Sequence, residues 1–198
     1  MNENQPNSLG PAYFEQVYQA KNDPWDFDSS PYERTKYADT LAALPKAHYP
    51  RAFEIGSSIG VLTARLAERC GHLLSVDVSE AALAQARRRC AHLPQVELKR
   101  LQVPDEFPAG QFDLILLSEV GYYWARPDLA RAADELLAAL PAGGQLLLVH
   151  WTPFVPDYPL TGDEVHEFFL TKAQPDGPLR HVHGHRAEKY RLDLFERL

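Results

Sequence analysis

The chain has 198 residues, 45% of them hydrophobic and 24% charged, the make-up of an ordinary folded domain rather than of a disordered chain. Its 20 basic and 27 acidic residues give a formal charge of -7 with no basic block, which argues against a nucleic-acid partner held through phosphates. No apolar run approaches the roughly 20 residues needed to span a bilayer, the polar N-terminus lacks signal-peptide order, and two cysteines, Cys70 and Cys90, suit a reducing cytoplasm rather than a disulfide or zinc framework.

In chain order, residues 11–19 read as a short amphipathic helix. An aromatic, turn-rich stretch follows, Asp23-Pro24-Trp25-Asp26-Phe27. Ser30, Pro31 and Glu33 form a helix start: a hydroxyl cap, a proline in the first turn and an acid three residues on. That helix runs over 32–44 on Tyr37, Leu41 and Leu44, and Pro45 ends it. From residue 51 strands and helices alternate. Strands are predicted at 51–55, 72–76, 95–101, 112–117 and 144–151, and helices at 60–69, 79–90, 127–140 and 163–171. The alternating tail, 179–198, predicts one or two final strands. Apolar strands separated by helices describe a mostly parallel sheet covered on both faces. The predicted architecture is a doubly wound α/β domain, with residues 1–48 as a helical arm or lid and 49–198 as the core. In such sheets ligands bind beyond the carboxyl ends of the strands.

The first strand ends in Glu54-Ile55-Gly56-Ser57-Ser58-Ile59-Gly60 and runs into a helix. Glycines there admit unusual backbone angles and close approach of a ligand. A dinucleotide fingerprint needs a third glycine five residues after the first, where this chain has Val61, and there is no Gly-Lys-Ser/Thr phosphate loop. The turn therefore suits a nucleoside without a pyrophosphate. Asp77 closes the second strand, where a carboxylate can accept both hydroxyls of a ribose.

Glu54-x-Gly56-x-Ser58-x-Gly60 with Asp77, Phe112-Asp113-Leu114-Ile115 and Leu140-Pro141-Ala142-Gly143-Gly144 together resemble the class I S-adenosylmethionine-dependent methyltransferases. Two departures stand out: Ser58 replaces a central glycine, and Ala142 is inserted in a Pro-Gly-Gly turn. Asp23-Pro24-Trp25, Tyr32-Glu33 with Lys36-Tyr37, and Ser118-Glu119-Val120-Gly121-Tyr122-Tyr123 are similar to the nodulation protein S (NodS) group, whose best-known member N-methylates the free amine of a deacetylated chitooligosaccharide. The resemblance implies a Rossmann-like seven-stranded sheet with the last strand antiparallel. It also implies S-adenosylmethionine as cofactor and a small-molecule or oligosaccharide amine as substrate.

Carried onto this chain, the resemblance assigns Asp77 to the ribose, Val78 to the adenine face, and the main chain of Gly56, Ser58 and Gly60 to the close approach of the cofactor. Gln102 either meets the adenine amino group or is a solvated loop residue. Glu54 suits the cofactor ammonium, and Arg34 and Lys36 its carboxylate. Trp25 and Tyr32 close the lid, unless Trp25 merely anchors the arm. Glu119, Tyr122, Tyr123 and Trp124 after the fourth strand, with His150 and Trp151 at the end of the fifth, favour an amine through charge and cation–π contact. Glu119 either belongs to the cofactor loop or joins His150 and water as a candidate to take the amine's proton. His181, His183 and His185 alternate, so they could share a strand face. Without an acidic or cysteine neighbour they predict no metal but an exposed strand end near the substrate mouth. The expected function is N-methylation of a small amine, with small-molecule O-methylation, or cofactor binding without turnover, as alternatives.

Overall fold

The computed structural model describes residues 7–198; the first six residues, part of the predicted arm, lie outside the described residues. The arm carries two helices, α1 (Pro11–Ala20) and α2 (Pro31–Ala42), each opened by a proline. Ser30 caps α2 by accepting the Glu33 amide at 3.4 Å. The intervening turn closes on Asp23, whose carboxylate accepts the amides of Phe27 and Asp28.

The core alternates as predicted: β1 (Tyr49–Ile55), α3 (Val61–Leu66), β2 (Cys70–Asp77), α4 (Glu80–Cys90), β3 (Val96–Arg100), β4 (Leu114–Ser118), α5 (Arg126–Ala139), β5 (Gln145–Trp151), α6 (Gly162–Thr171), β6 (Leu179–Arg186) and β7 (Tyr190–Arg197). The helix expected over 60–69 tightens into a single 3-10 turn at Ala67–Arg69. The seven strands form one sheet in the order β3-β2-β1-β4-β5-β7-β6. β3 to β5 pair in parallel, and β7 runs antiparallel to both β5 and β6. The strand order reverses between β1 and β4, which opens a crevice at their carboxyl ends.

Strand alternation fills both faces. Ile115, Leu117, Leu146 and Leu148 pack on one side with α5 and α6, while Leu114, Leu116, Leu147 and Val149 pack on the other with α2 and α3. Burying apolar side chains on both faces is why these strands read as continuous apolar runs. Among the described residues no helix is long and apolar enough to cross a membrane.

The histidine-rich strand differs from expectation. β6 is the outer edge of the sheet, two strands away from β5, and none of its residues lines the cavity described below. A register shift between His181 and His183 breaks the alternation that would put three imidazoles on one face. His181 instead meets Asp193 at 2.7 Å. Among the described residues no group of three metal-ligating side chains comes together.

Candidate active site

At the reversal point lies a cavity of about 530 Å³, lined by the arm, the β1–α3 turn, the end of β2, and the loops after β3, β4 and β5. One end is built from main chain. The amides of Gly56 and Ser57 donate to the Val76 carbonyl at 2.8 and 2.9 Å, folding the turn over β2. Gly56 has φ +91°, and a Cβ there would lie 2.4 Å from Val120 Cγ2, so the β4 loop leaves room for glycine alone. Ser58, at φ 49°, donates its amide to Asp77 Oδ2 at 2.8 Å, and the Ser79 amide reaches Oδ1 at 2.9 Å. Each carboxylate oxygen keeps a further lone pair. Burial raises the Asp77 pKa and the amides pull it back. Val78 and Gln102 line the same end, with the Gln102 side-chain amide turned onto Asp105 at 2.9 Å.

The arm closes over this end. Tyr18 of α1 donates its hydroxyl to Ser58 Oγ at 2.6 Å. Trp25 stands edge-on to Tyr18 with centroids 5.6 Å apart and also lines the cavity, so it both anchors and covers. Glu15 pins α1 to the start of α4 by accepting the Ser79 hydroxyl at 2.8 Å.

The other end is built from charge. Lys36 of α2, 2% exposed, donates to Glu33 Oε1 at 2.9 Å and to Glu119 Oε1 at 2.5 Å. Glu119, at φ 58° in the turn after β4, also accepts the Tyr122 hydroxyl at 2.5 Å and the Trp151 amide at 2.9 Å on Oε2. Burial pulls the Lys36 pKa down, but Glu119 and Glu33 overcome it and leave it raised. Burial also raises Glu33, against the pull of Lys36. Burial beside Glu119 holds the Tyr122 phenol far above its ordinary range. Tyr32 stands edge-on to Trp151 and Tyr190.

Of the predicted residues, Trp25, Tyr32, Lys36, Gly56, Ser58, Asp77, Val78, Gln102, Glu119 and Tyr122 line one cavity; Glu54, Gly60, Arg34 and His150 do not. Glu54 is 1% exposed and turned beneath the glycine turn, accepting the hydroxyls of Thr63 and Ser75 at 2.6 and 2.5 Å. Strand alternation sends its side chain into the sheet face rather than off the end. Gly60 is glycine because α4 crosses it: a Cβ would lie 2.9 Å from Ala86 Cα. Arg34 sits on the outer face of α2 and donates to the Ser29 carbonyl. Lys36 is paired with two carboxylates, and among the described residues no other cation lines the cavity. His150 is fully buried, and its Nε2 accepts the Gly121 amide at 3.1 Å. It points away from the cavity that its neighbour Trp151 lines, so it takes no proton there.

Sequence reasoning places Glu33 at a helix start and in the Tyr32-Glu33 motif, but assigns its carboxylate no role in the site. Its amide does meet the cap, but its carboxylate turns inward to Lys36. The available signal was the spacing: Glu33, Lys36, Tyr37 and Thr40 fall at i, i+3, i+4 and i+7, and all four are buried, an apolar-face pattern carrying two charges. Among the described residues, the buried side-chain atoms without a hydrogen-bond partner include Tyr32 Oη, Glu33 Oε2 and Ser57 Oγ, all from residues lining this cavity. The two hydroxyl donors, Tyr32 Oη and Ser57 Oγ, fit a ligand carboxylate such as that of the amino-acid end of S-adenosylmethionine, and the Glu33 oxygen is left as an acceptor for a second, cationic group.

A family model described as nodulation protein S (NodS) matches residues 14–150. Nodulation protein S of Rhizobium tropici is 35% identical over 133 residues, covering 65% of this chain and 55% of that one; this chain thus spans little more than half the length of that curated relative. A Pseudomonas syringae protein provisionally assigned as a methyltransferase is 40% identical, with 84% of this chain and 99% of that chain covered and a TM-score of 0.73. The N-methyltransferase NodS of Bradyrhizobium japonicum WM9, solved in complex with S-adenosyl-l-homocysteine, superposes with a TM-score of 0.82 at 22% identity, over 96% and 99% of the two chains. The same arm, turn and β4-loop motifs that build the cavity lie inside the matched span, and this chain belongs to the nodulation protein S family.

Proposed function

We propose that this protein is an S-adenosylmethionine-dependent methyltransferase acting on the nitrogen of a small amine, with an amino sugar or glycoside as the substrate class. The observation that carries the reading is the buried Glu33–Lys36–Glu119 cluster at the cavity wall, where two carboxylates outweigh one ammonium and one Glu33 oxygen has no partner. A site with excess negative charge and an open acceptor selects a cation. S-adenosylmethionine supplies an activated methyl group on a sulfonium, so the protein's task is orientation and electrostatics. On this reading Asp77 accepts the ribose hydroxyls, Val78 and Gln102 border the adenine, and Tyr32 and Ser57 donate to the amino-acid carboxylate.

At the acceptor side, Tyr32 and Trp151 present aromatic rings to an ammonium. The amine must lose a proton before it can attack. The open oxygen of Glu33, whose pKa is raised by burial, is the group suited to receive it. Glu119 has three donors on it already, so it orients Lys36 and Tyr122 instead.

Radiolabelled methyl transfer to matched pairs of amino sugars and sugars, and of simple amines and alcohols, tests the assignment. Label is expected in the amines alone. Label in the alcohols alone would establish O-methylation. Tight S-adenosylhomocysteine binding with no transfer to either set would mark a binding module without turnover.

A further inference from the structure

Behind the cavity wall runs a line of buried polar groups that the reaction proposed above does not use. His150 of β5 and His166 of α6 are 0% exposed, and Asp193 of β7 is 2% exposed. The Gly121 amide donates to His150 Nε2 at 3.1 Å. His150 Nδ1 meets His166 Nε2 at 3.1 Å, and His166 Nδ1 meets Asp193 Oδ2 at 2.6 Å. We infer that His166 and Asp193 are positioning residues: they fix which nitrogen of His150 carries its proton, and His150 thereby anchors the turn that presents Glu119 and Tyr122 to the cavity.

Donor and acceptor roles run one way along this line. A backbone N–H can only donate, so His150 Nε2 holds a lone pair and its proton sits on Nδ1. That proton must go to His166 Nε2, which places the His166 proton on Nδ1, facing a carboxylate that can only accept. Burial and the neighbouring His166 hold the His150 pKa well below its ordinary value, and burial lowers His166 too, against the pull of Asp193. Asp193 is itself fixed by Arg191 Nε on Oδ2 and by His181 Nε2 on Oδ1, each at 2.7 Å. Gly184 leaves room for this contact, since a Cβ there would lie 2.7 Å from Asp193 Oδ1.

The turn needs such an anchor. Glu119 holds a left-handed φ of 58°, a conformation that a side chain bearing a Cβ resists. Gly121 packs so closely on the relay that a Cβ would lie 3.0 Å from His150 Nε2 and 2.7 Å from Val165 Cγ1. If the His150 proton moved to Nε2, it would face the Gly121 N–H, and the turn would lose its hold two residues from Glu119 and one from Tyr122. Neither His166 nor Asp193 borders the cavity, so each acts through the turn.

Nitrogen-15 spectra of the imidazole rings at neutral pH test the relay without turnover, and so independently of the proposed reaction. Both His150 and His166 are expected neutral, with the proton on Nδ1. A proton on His150 Nε2, or an imidazolium at either ring, would overturn the inference. In Asp193→Ala, His166 Nδ1 loses its acceptor and is no longer held protonated, so the fraction of His150 with its proton on Nδ1 is expected to fall, with a shift of the Gly121 amide resonance. An unchanged His150 would sink the relay. The activity arm, which rests on the proposed methyl transfer, compares His150→Gln with His150→Met. Glutamine places an oxygen near the Nε2 position, while methionine fills similar space without an acceptor. His150→Met is expected to lower kcat roughly tenfold, with S-adenosylhomocysteine affinity within about twofold, and His150→Gln to recover most of that loss. Equal losses in both variants, or a loss seen equally in cofactor affinity, would reduce His150 to a packing residue.

Discussion

At the β1–β2 end of the cavity the polar groups are main-chain amides and one carboxylate, and the residues joined there, Ser58 and Asp77, are 19 apart in sequence. At the β4 end the work is done by side-chain charges, and the pair that joins there, Lys36 and Glu119, is 83 apart. The first end binds by geometry that a strand–turn–helix unit produces wherever it occurs. The second exists only once the arm has folded over the sheet. On the proposed function, binding a nucleoside and choosing an acceptor would therefore be built by different means within one cavity, and each means fails differently.

Breaking the charged end has the largest expected effect. Lys36→Met leaves Glu33 and Glu119 buried and facing each other, and losing one partner of a buried ion pair costs about 3–5 kcal/mol. Denaturant unfolding at about pH 8 reads that loss. The Glu33 pKa is already raised by burial, so the deficit should shrink as the pH falls and Glu33 takes up a proton. A deficit that does not change with pH would mean the cluster is less coupled than its distances imply.

Glu54 separates the two ends in another way, because it lies in the glycine-turn motif yet outside the cavity. Burial pushes its pKa up to about 7. A raised pKa means that the folded state holds the proton more tightly than the unfolded one. The contribution is therefore complete below the ordinary carboxylate range and fades as the pH rises through 7. Wild type should lose up to about 3 kcal/mol relative to Glu54→Gln between acid and mildly alkaline solution, while S-adenosylhomocysteine affinity stays within about threefold. A large affinity loss would return Glu54 to the ligand's ammonium.

At the main-chain end, Asp77→Ala removes the proposed ribose acceptor and the partner of two amides. Titration calorimetry should show S-adenosylhomocysteine binding weakened about 100-fold, whereas Arg34→Ala, on the outer face of α2, should change it less than about twofold. Equal effects of the two would put the arm's cation back in the site.

These two ends also mark what could be read from the sequence. The strand–helix alternation, the glycine turn and the place of Asp77 at the end of the second strand were legible because each depends on residues close in the chain and on periodicities that report burial. Glu54, His150 and Arg34 were misplaced for one reason: a motif says that a residue lies near a site, while alternation along a strand or the angle around a helix decides which way it faces. His150 and Trp151 are neighbours in β5 and point oppositely. Glu33 was missed because its helix-cap role was sufficient to explain it, although its spacing with Lys36, Tyr37 and Thr40 carried the second role. The His150–His166–Asp193 line joins three elements and left no local trace.

The smallest expected effect concerns the contact between the lid and the main-chain end. Ser58 holds φ 49° where glycine would be unstrained, and it accepts the buried Tyr18 hydroxyl at 2.6 Å. Ser58→Ala keeps the strain and leaves that hydroxyl unpaired, which should destabilise the fold by about 1 kcal/mol. Ser58→Gly loses the same bond but relieves the left-handed backbone, so it should be more stable than Ser58→Ala by roughly 1 kcal/mol. Because both variants untie α1 from the turn, both should release S-adenosylhomocysteine faster than wild type, and by similar factors. If release quickens in neither, the serine is a tolerated substitution and the lid is held by Trp25 and Glu15 alone. If it quickens in both while stability separates them, the serine trades backbone comfort for a latch, and the end built from main chain proves to depend on one side chain after all.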